Sequence, residues 1–497
     1  MMNTTPEWIT RSVSRLRPAA ADKAPPPKAA LDKTVTDVEA RAARSDAPRS
    51  THERLQATLR RGNEALSPRA LRRLLADLQE VVAPQVSEIE GGRRAQAVAE
   101  WYAQAEPEER RDMWLLMCEQ FAPDATRFKS ARQRYEAAAG TAEEGQAEIS
   151  LRRALVSPRT RLLQRFAVFP QGMRFLVDLR AELLPQLSGV KADKRLLPLD
   201  AELEHLFSTW FDVAFLQLKR LSWDSPASLL EKLIKYEAVH DIKSWADLKN
   251  RLDSDRRCYG FFHPRLPDEP LIFVEVALLD KMSASITPLL DEAAAPVDIS
   301  RATTAIFYSI SNTQTGLRGV SFGDSLIKHV VETLNEEFPR LRTFATLSPI
   351  PGFRGWLGKH AGAMLERLDD KRRAELGRAV GFEPPQATHL LAALDKPLEL
   401  DAKSPARQML MECAAYYLGR ELPEGKPADP VARFHLGNGA RVERLNWAGD
   451  PSPKGLKQSY GLMVNYLYDL KRIDKHRSLL AQGKVPVSGD IGGLIRD

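Results

Sequence analysis

The spacing of apolar residues changes character once along this chain, and that change limits the fold more than any other feature. From about residue 51 to 190 the apolar residues recur at helical intervals and nothing reads as a strand. In "LSPRALRRLLADLQEVV", Ser67 is placed to cap a helix and Pro68 suits its first position. Leu71, Leu74, Leu75 and Leu78 then fall on one face. "PEERRDMWLLMCEQFA" opens with an acidic turn, "SPRTRLLQRFAVF" repeats the Ser-Pro start, and "GMRFLVDLRAELLPQL" runs out near Pro185. Short breaks between them fit an antiparallel bundle. After about 195 the pattern alternates. "ELEHLFSTWFDVAFLQLKRLSW" still reads as helix. "EPLIFVEVALL" (269–279), "TTAIFYSIS" (303–311), "LRTFATLS" (341–348) and "ARFHLGNGARVERLNW" (432–447) are β-branched or aromatic-rich and read as strands, with helical stretches between. The spacing therefore predicts an α+β multidomain chain: an all-α helical bundle over 51–194, then an α/β domain over 195–497. Residues 1–50, with "RPAAADKAPPPKAA", lack the large apolar residues that offset chain entropy and are expected to be a disordered tail.

Composition narrows the function classes. Hydrophobic residues at 43% and charged residues at 28% are those of a soluble globular protein, and no run approaches a membrane span. Against 72 basic residues stand 66 acidic ones, a net charge of +6. Spread over 497 residues that does not argue for nucleic acid, though it suits an anionic small ligand. Cys118, Cys258 and Cys413 are isolated, with no metal-ligand spacing and no disulfide framework, which points to a reducing compartment. The first 20 residues lack the apolar core of a secretory signal and read as a flexible tail, although their Arg and Ser/Thr content faintly resembles a transit peptide. The C-terminal "GGLIRD" is no address signal, and the expected location is cytoplasmic.

Chemistry concentrates in residues 303–353. A strand, the loop "NTQTGLRGVSFG", a helix with Leu326, Ile327, Val330, Val331, Leu334 and Phe338 on one stripe, and the strand "LRTFATLS" make a β-loop-α-β unit. Asp324 or Ser325 can cap the helix. Gly316, Gly319 and Gly323, with Arg318 among them, form either a plain connector or a backbone cradle for a pyrophosphate at a helix start. The spacing matches neither the P-loop nor the dinucleotide fingerprint. Ser348 falls at the C-terminal end of the second strand, the edge of an open α/β sheet where ligands sit. Pro349 and Pro351 then stiffen the turn, as in a structural Ser-Pro turn or a preorganised site. His435 reads as lying in a strand before an "NG" hairpin turn, either a core histidine or a proton-transfer group. No HExxH, Cys/His cluster or GxSxG elbow is present.

Together, "WDSPASLLEKLIKYEAVH" (223–240), "RRCYGFFHP" (256–264), "EPLIFVEVALL", "AIFYSISNTQTGLRGVSFGDSLIKHVVETLNEEFPRL", "LSPIPGFRGWL", "DPVARFHLGNGARVERLNW" and "SYGLMVNYLYDL" (459–470) resemble, in order, the malonyl-CoA decarboxylase family. The resemblance implies a helical N-terminal domain and a catalytic domain like the GNAT acyltransferase fold. It also implies decarboxylation of malonyl-CoA to acetyl-CoA and CO2. The family's serine in "SPIPGF" corresponds to Ser348, its histidine in "FHL" to His435, and a tyrosine associated with the site to Tyr468. A functionally sensitive lysine falls at Lys232. The coenzyme-contacting loop corresponds to Arg318, Gly319, Val320, Ser321, Phe322, Gly323 and Asp324. Animal members carry an acidic residue where this chain has Ser321, so a hydrogen bond made by that carboxylate would need a replacement here.

In the mechanism so implied, backbone N–H groups stabilise an enolate oxygen and His435 protonates the carbon as general acid. Ser348 bonds the substrate carboxylate or the histidine. No metal or organic cofactor is called for, because the thioester is the electron sink. Malonyl-CoA and acetyl-CoA are the expected ligands, with no nucleic acid and no membrane, in a homo-oligomer (dimer or tetramer) formed through the helical domain. The alternatives are a GNAT-type acyltransferase, which needs a second acceptor, and a CoA-responsive binding module without turnover.

Overall fold

The computed structural model describes residues 65–190, 192–320 and 326–495. The expected tail over 1–50, and Ser321 to Asp324 of the expected coenzyme loop, lie outside the described residues.

The first part is helical throughout: α1 (Pro68–Val81), α2 (Glu88–Gln104), α3 (Pro107–Gln120), α4 (Ala125–Ala138), α5 (Glu144–Leu155), α6 (Pro158–Phe166), α7 (Gly172–Leu183) and α8 (Leu197–Trp210). The local chemistry is legible. Ser67 Oγ accepts the Ala70 N–H at 3.3 Å with Pro68 in the first turn, and Leu71, Leu74, Leu75 and Leu78 are buried. Helix α8 ends at Trp210, and the chain that follows is not helical as its apolar content suggests. It forms β1 (Gln217–Leu221), because Asp212 caps only a short 3₁₀ turn and the next residues pair with β2 (Arg256–His263).

The sheet has the order β1-β2-β3-β4-β5-β8-β6, with β7 on the other side of β8. Its remaining strands are β3 (Leu266–Leu279), β4 (Thr304–Asn312), β5 (Thr343–Thr346), β6 (Ser348–Pro349), β7 (Arg441–Asn446) and β8 (Met463–Leu467). Helix α9 (Ala227–Tyr236) follows β1, and α10 (Leu326–Glu337) connects β4 to β5. Five residues of the anticipated α10 stripe, Leu326 to Leu334, are buried, and Phe338 packs half-buried just beyond the helix end.

One irregularity positions everything else. Strand β4 pairs in parallel with β5 only from Thr304↔Thr343 to Phe307↔Thr346, yet it runs on to Asn312. Opposite β3 its register shifts, Phe307 facing Val276 and Ser309 facing Glu275, so Tyr308 is bulged out of the ladder. A bulge bends and twists its strand. Beyond Thr346 the other chain turns away, and Ser348 and Pro349 pair with β8 instead. The sheet therefore splits into a fork between β4 and the end of β5.

The helical block and the sheet share one continuous apolar core. The loop after β4 is held by the helices. Arg180 of α7 is 1% exposed and donates to the carbonyls of Gly316 (2.9 Å) and Arg318 (2.8 Å), while its Nε meets Asp200 at 2.8 Å. A Cβ on Gly316 would lie 1.9 Å from the Val177 carbonyl oxygen, so this glycine is required by contact with α7. Gly319 has φ +82°, a conformation that L side chains rarely adopt.

Candidate functional site

A cavity of about 430 Å³ fills the fork. Tyr308, Ser309 and Ile310 of β4 form one wall, and Ser348 and Pro349 the other. The third wall is α12 (Pro430–Gly437), here named after α11 (Phe353–Glu366), and it presents Val431, Phe434 and His435.

The helix α12 corrects the reading of His435 as a strand residue. Asp429 caps it, accepting the N–H groups of Val431 (2.9 Å) and Ala432 (3.0 Å), and Pro430 fills the first turn. The "NG" pair ends this helix and makes no hairpin: Gly439 takes φ +83°, and the Ala440 N–H bonds back to the His435 carbonyl at 3.1 Å. The same Asp429 carboxylate accepts the Gly352 N–H at 3.2 Å, tying the helix to the proline turn after Ser348. Burial raises the Asp429 pKa above its ordinary value, while those backbone N–H bonds favour its charged form. Gly352 leaves room for the Tyr417 hydroxyl, which a Cβ there would meet at 2.3 Å.

These elements bring together groups far apart in sequence. Ser348 Oγ lies 3.2 Å from His435 Nε2, and Tyr468 Oη lies 2.8 Å from His435 Nδ1. Ser348 Oγ also donates to Thr346 Oγ1 at 2.9 Å. All four residues are buried, Thr346 fully. The Tyr466 ring stacks on the imidazole at 4.7 Å between centroids. Desolvation holds the His435 pKa down at about 3 and pushes the Tyr468 phenol well above its usual range. The imidazole is therefore neutral at any physiological pH, with one N–H and one bare nitrogen. A serine that donates to Thr346 offers the imidazole a lone pair. Nε2 then carries the hydrogen, and Nδ1 accepts from the Tyr468 hydroxyl. Such a chain of neutral groups can move a proton to or from a ligand in the cavity.

The other residues anticipated from the sequence fall elsewhere. Val320 lines the cavity rim. Arg318 is exposed at the end of a 3₁₀ turn, and Gly319 follows it. Lys232, on α9, is not brought to the cavity; its ammonium donates to the Asp268 carbonyl at 2.6 Å and pairs with Glu269 at 2.9 Å. Thr346 is the residue the sequence reading misses. Its signal was available, since residues two apart in an extended chain face the same side, which sets Thr346 beside Ser348. Glu237 is a second one. Its carboxylate accepts from Ser309 and Ser311 and from the backbone of Val239 and His240, which pins a cavity-lining loop to β4. Among the described residues no three His, Cys, Asp or Glu side chains gather as a metal site, and no helix is long and apolar enough to cross a membrane.

In the fork of this mixed sheet a buried serine, imidazole and phenol thus stand hydrogen-bonded in series at the cavity. The chain belongs to the malonyl-CoA decarboxylase family: the models for that family's C-terminal and N-terminal domains match residues 214–497 and 121–211. Among curated relatives, mitochondrial malonyl-CoA decarboxylase of Mus musculus is 39% identical over 363 residues, 70% of this chain and 73% of that one. The protein of the same name from Anser anser anser is 38% identical over 330 residues, 64% of this chain, and the match spans 66% of its own length. The crystal structure of malonyl-CoA decarboxylase from Rhodopseudomonas palustris is 41% identical. It covers 85% of this chain and 98% of its own, at a TM-score of 0.73.

Proposed function

We infer that this chain decarboxylates malonyl-CoA to acetyl-CoA and CO2, and that Ser348, His435 and Tyr468 carry the proton transfer. The observation that carries the reading is the buried hydrogen-bonded chain of these three groups at the floor of the fork. Loss of CO2 leaves an electron pair on the carbon beside the thioester, delocalised onto its oxygen as an enolate. Past Phe307, β4 has no β5 residue beside it, so backbone N–H groups on that edge are available to the oxygen. In other enzymes a donor of this kind is worth roughly 3–4 kcal/mol.

The carbon then takes a proton. A histidine with a pKa near 3 is not a reservoir of imidazolium at neutral pH, so the acid is the neutral Nε2–H. As that hydrogen leaves for carbon, the Tyr468 O–H passes its proton to Nδ1 and the ring stays neutral. The phenolate recovers a proton from solvent before the next turnover. Ser348 holds Nε2–H in place until substrate arrives. The apolar lining, with Ile310, Val320 and Leu326, strengthens these interactions by excluding water.

The loop from Arg318 to Asp324 meets the CoA pyrophosphate in this reading, and the thioester makes a metal or organic cofactor unnecessary. Lys232 takes no part. The antiparallel run β1 to β4 followed by a parallel, splayed β5 supports the likeness to the GNAT fold. Homo-oligomers through the helical block and a cytoplasmic location complete the proposal. The test is incubation with malonyl-CoA alone, following acetyl-CoA and CO2. Wild type turns over without an acceptor, and Ser348→Ala and His435→Asn each lose about 10²-fold or more. Folded variants that both keep near-normal turnover would overturn the assignment.

A further inference from the structure

We propose that Thr346 is a positioning residue for the reaction: its hydroxyl holds Ser348 so that the serine lone pair faces His435 Nε2. The inference rests on the reading of Ser348 and His435 as the proton-transfer pair.

Three observations converge on it. Thr346 is fully buried, and its Oγ1 receives two hydrogen bonds, from Ser348 Oγ at 2.9 Å and from the Tyr466 backbone N–H at 3.1 Å. A backbone N–H can only donate, so the position and orientation of Oγ1 are set by β8 and not by the serine. The carbonyl of Thr346 is held as well, accepting from Asn465 Nδ2 at 2.7 Å. Oγ1 is thus a fixed acceptor at the point where Ser348 would otherwise be free to rotate among staggered positions.

The consequence falls on the imidazole. With its hydrogen engaged by Thr346, Ser348 meets Nε2 at 3.2 Å as an acceptor. That selects the tautomer with hydrogen on Nε2, on the cavity side, and leaves Nδ1 to accept from Tyr468. Without Thr346, the Ser348 hydroxyl turns its own hydrogen toward Nε2. The ring hydrogen then moves to Nδ1, away from the substrate. Thr346 touches no cavity surface, so its contribution reaches the reaction only through Ser348.

The experiment is a double-substitution cycle on the full chain, with malonyl-CoA as substrate. Thr346→Val keeps the volume and removes the acceptor; its kcat falls by about tenfold or more, with KM within about twofold of wild type. Thr346→Ser keeps the hydroxyl and restores kcat to within about threefold of wild type. In a Ser348→Ala background, Thr346→Val causes no further loss, because the serine it acts through is gone. Thr346→Ala is read in the same way if the valine variant does not fold. A Thr346→Val enzyme with unchanged kcat beside an inactive Ser348→Ala enzyme overturns this inference alone. So does a Thr346→Val loss that persists undiminished in the Ser348→Ala background, which marks a purely structural residue. Full turnover by Ser348→Ala overturns the underlying reading and this inference with it.

Discussion

Tyr468→Phe isolates one link of the proton chain. The substitution removes a single oxygen and keeps the ring, including its edge contact with Phe307 at 6.5 Å between centroids. What changes is the partner of His435 Nδ1, 2.8 Å from that oxygen, with both residues buried. The imidazole cannot escape by changing tautomer. With hydrogen on Nε2, Nδ1 is a bare acceptor without a donor; with hydrogen on Nδ1, a donor is orphaned. Either state leaves a buried polar atom unsatisfied, which costs roughly 1–3 kcal/mol of stability. The kinetic loss is separate. With no phenol to supply Nδ1, protonation of carbon by Nε2–H leaves an imidazolate in a low-dielectric site. The expected drop in kcat is about 10²-fold, equivalent to about 2.7 kcal/mol in the barrier. KM should hold within about twofold, since Tyr468 stands behind the histidine and not in the cavity wall. Urea denaturation measures the first effect, and saturation kinetics of acetyl-CoA formation the second. A kcat within about threefold of wild type would refute the relay through Tyr468, whatever the stability.

The pH behaviour follows from the depressed histidines. Burial lowers His435 to about 3 and His240 to about 4, so each contributes stability that is complete above about pH 6.5 and is lost as pH falls toward those values. At pH 5 the His435 share lost is about 2 kcal/mol, and denaturation curves for His435→Asn should show a shallower acid dependence. Between pH 6 and 8, kcat should show no inflection near 6.5; a fall above that pH would mean that an imidazolium is the acid after all. Gly316→Ala should be the more damaging of the two glycine substitutions, because its Cβ meets the Val177 carbonyl at 1.9 Å, whereas Gly319→Ala meets only strained φ worth about 1–2 kcal/mol. Thermal melts rank the two. Arg180→Met removes the cation from Asp200 and two carbonyl bonds from the loop after β4, and should lower stability by about 3–5 kcal/mol. Any variant that remains folded should show a raised KM for malonyl-CoA.

Legibility differed with the range of the interactions. Helix α1 was readable because its cap, its proline and its leucine stripe all lie within a dozen residues. Helix α10 was readable from its apolar stripe, Leu326 to Leu334; the expected cap at Asp324 or Ser325 lies outside the described residues. The segment around His435 misled because "NG" is a strong hairpin signal, while the helix signal, Asp429 followed by Pro430, occupies two positions just upstream. The "LQLKRL" part of β1 misled for another reason. It is a short edge strand, and only its antiparallel partner β2 decides against continuing the helix. Gly316 was legible as special but not for its cause. A glycine needed for contact with α7 and one needed for a phosphate look alike in a sequence.

The residues alone determined which chemistry was available: a serine in a stiffened turn, a histidine and a tyrosine in three separate segments, and the order of helices and strands that carry them. The tertiary structure decided that they meet. A bulge at Tyr308 and the early end of β5 open the fork, and one carboxylate, Asp429, ties the histidine's helix to the serine's turn. It also decided the charge of the imidazole. Burial by elements remote in sequence removes the water that would stabilise a cation, and no local pattern of residues encodes that loss.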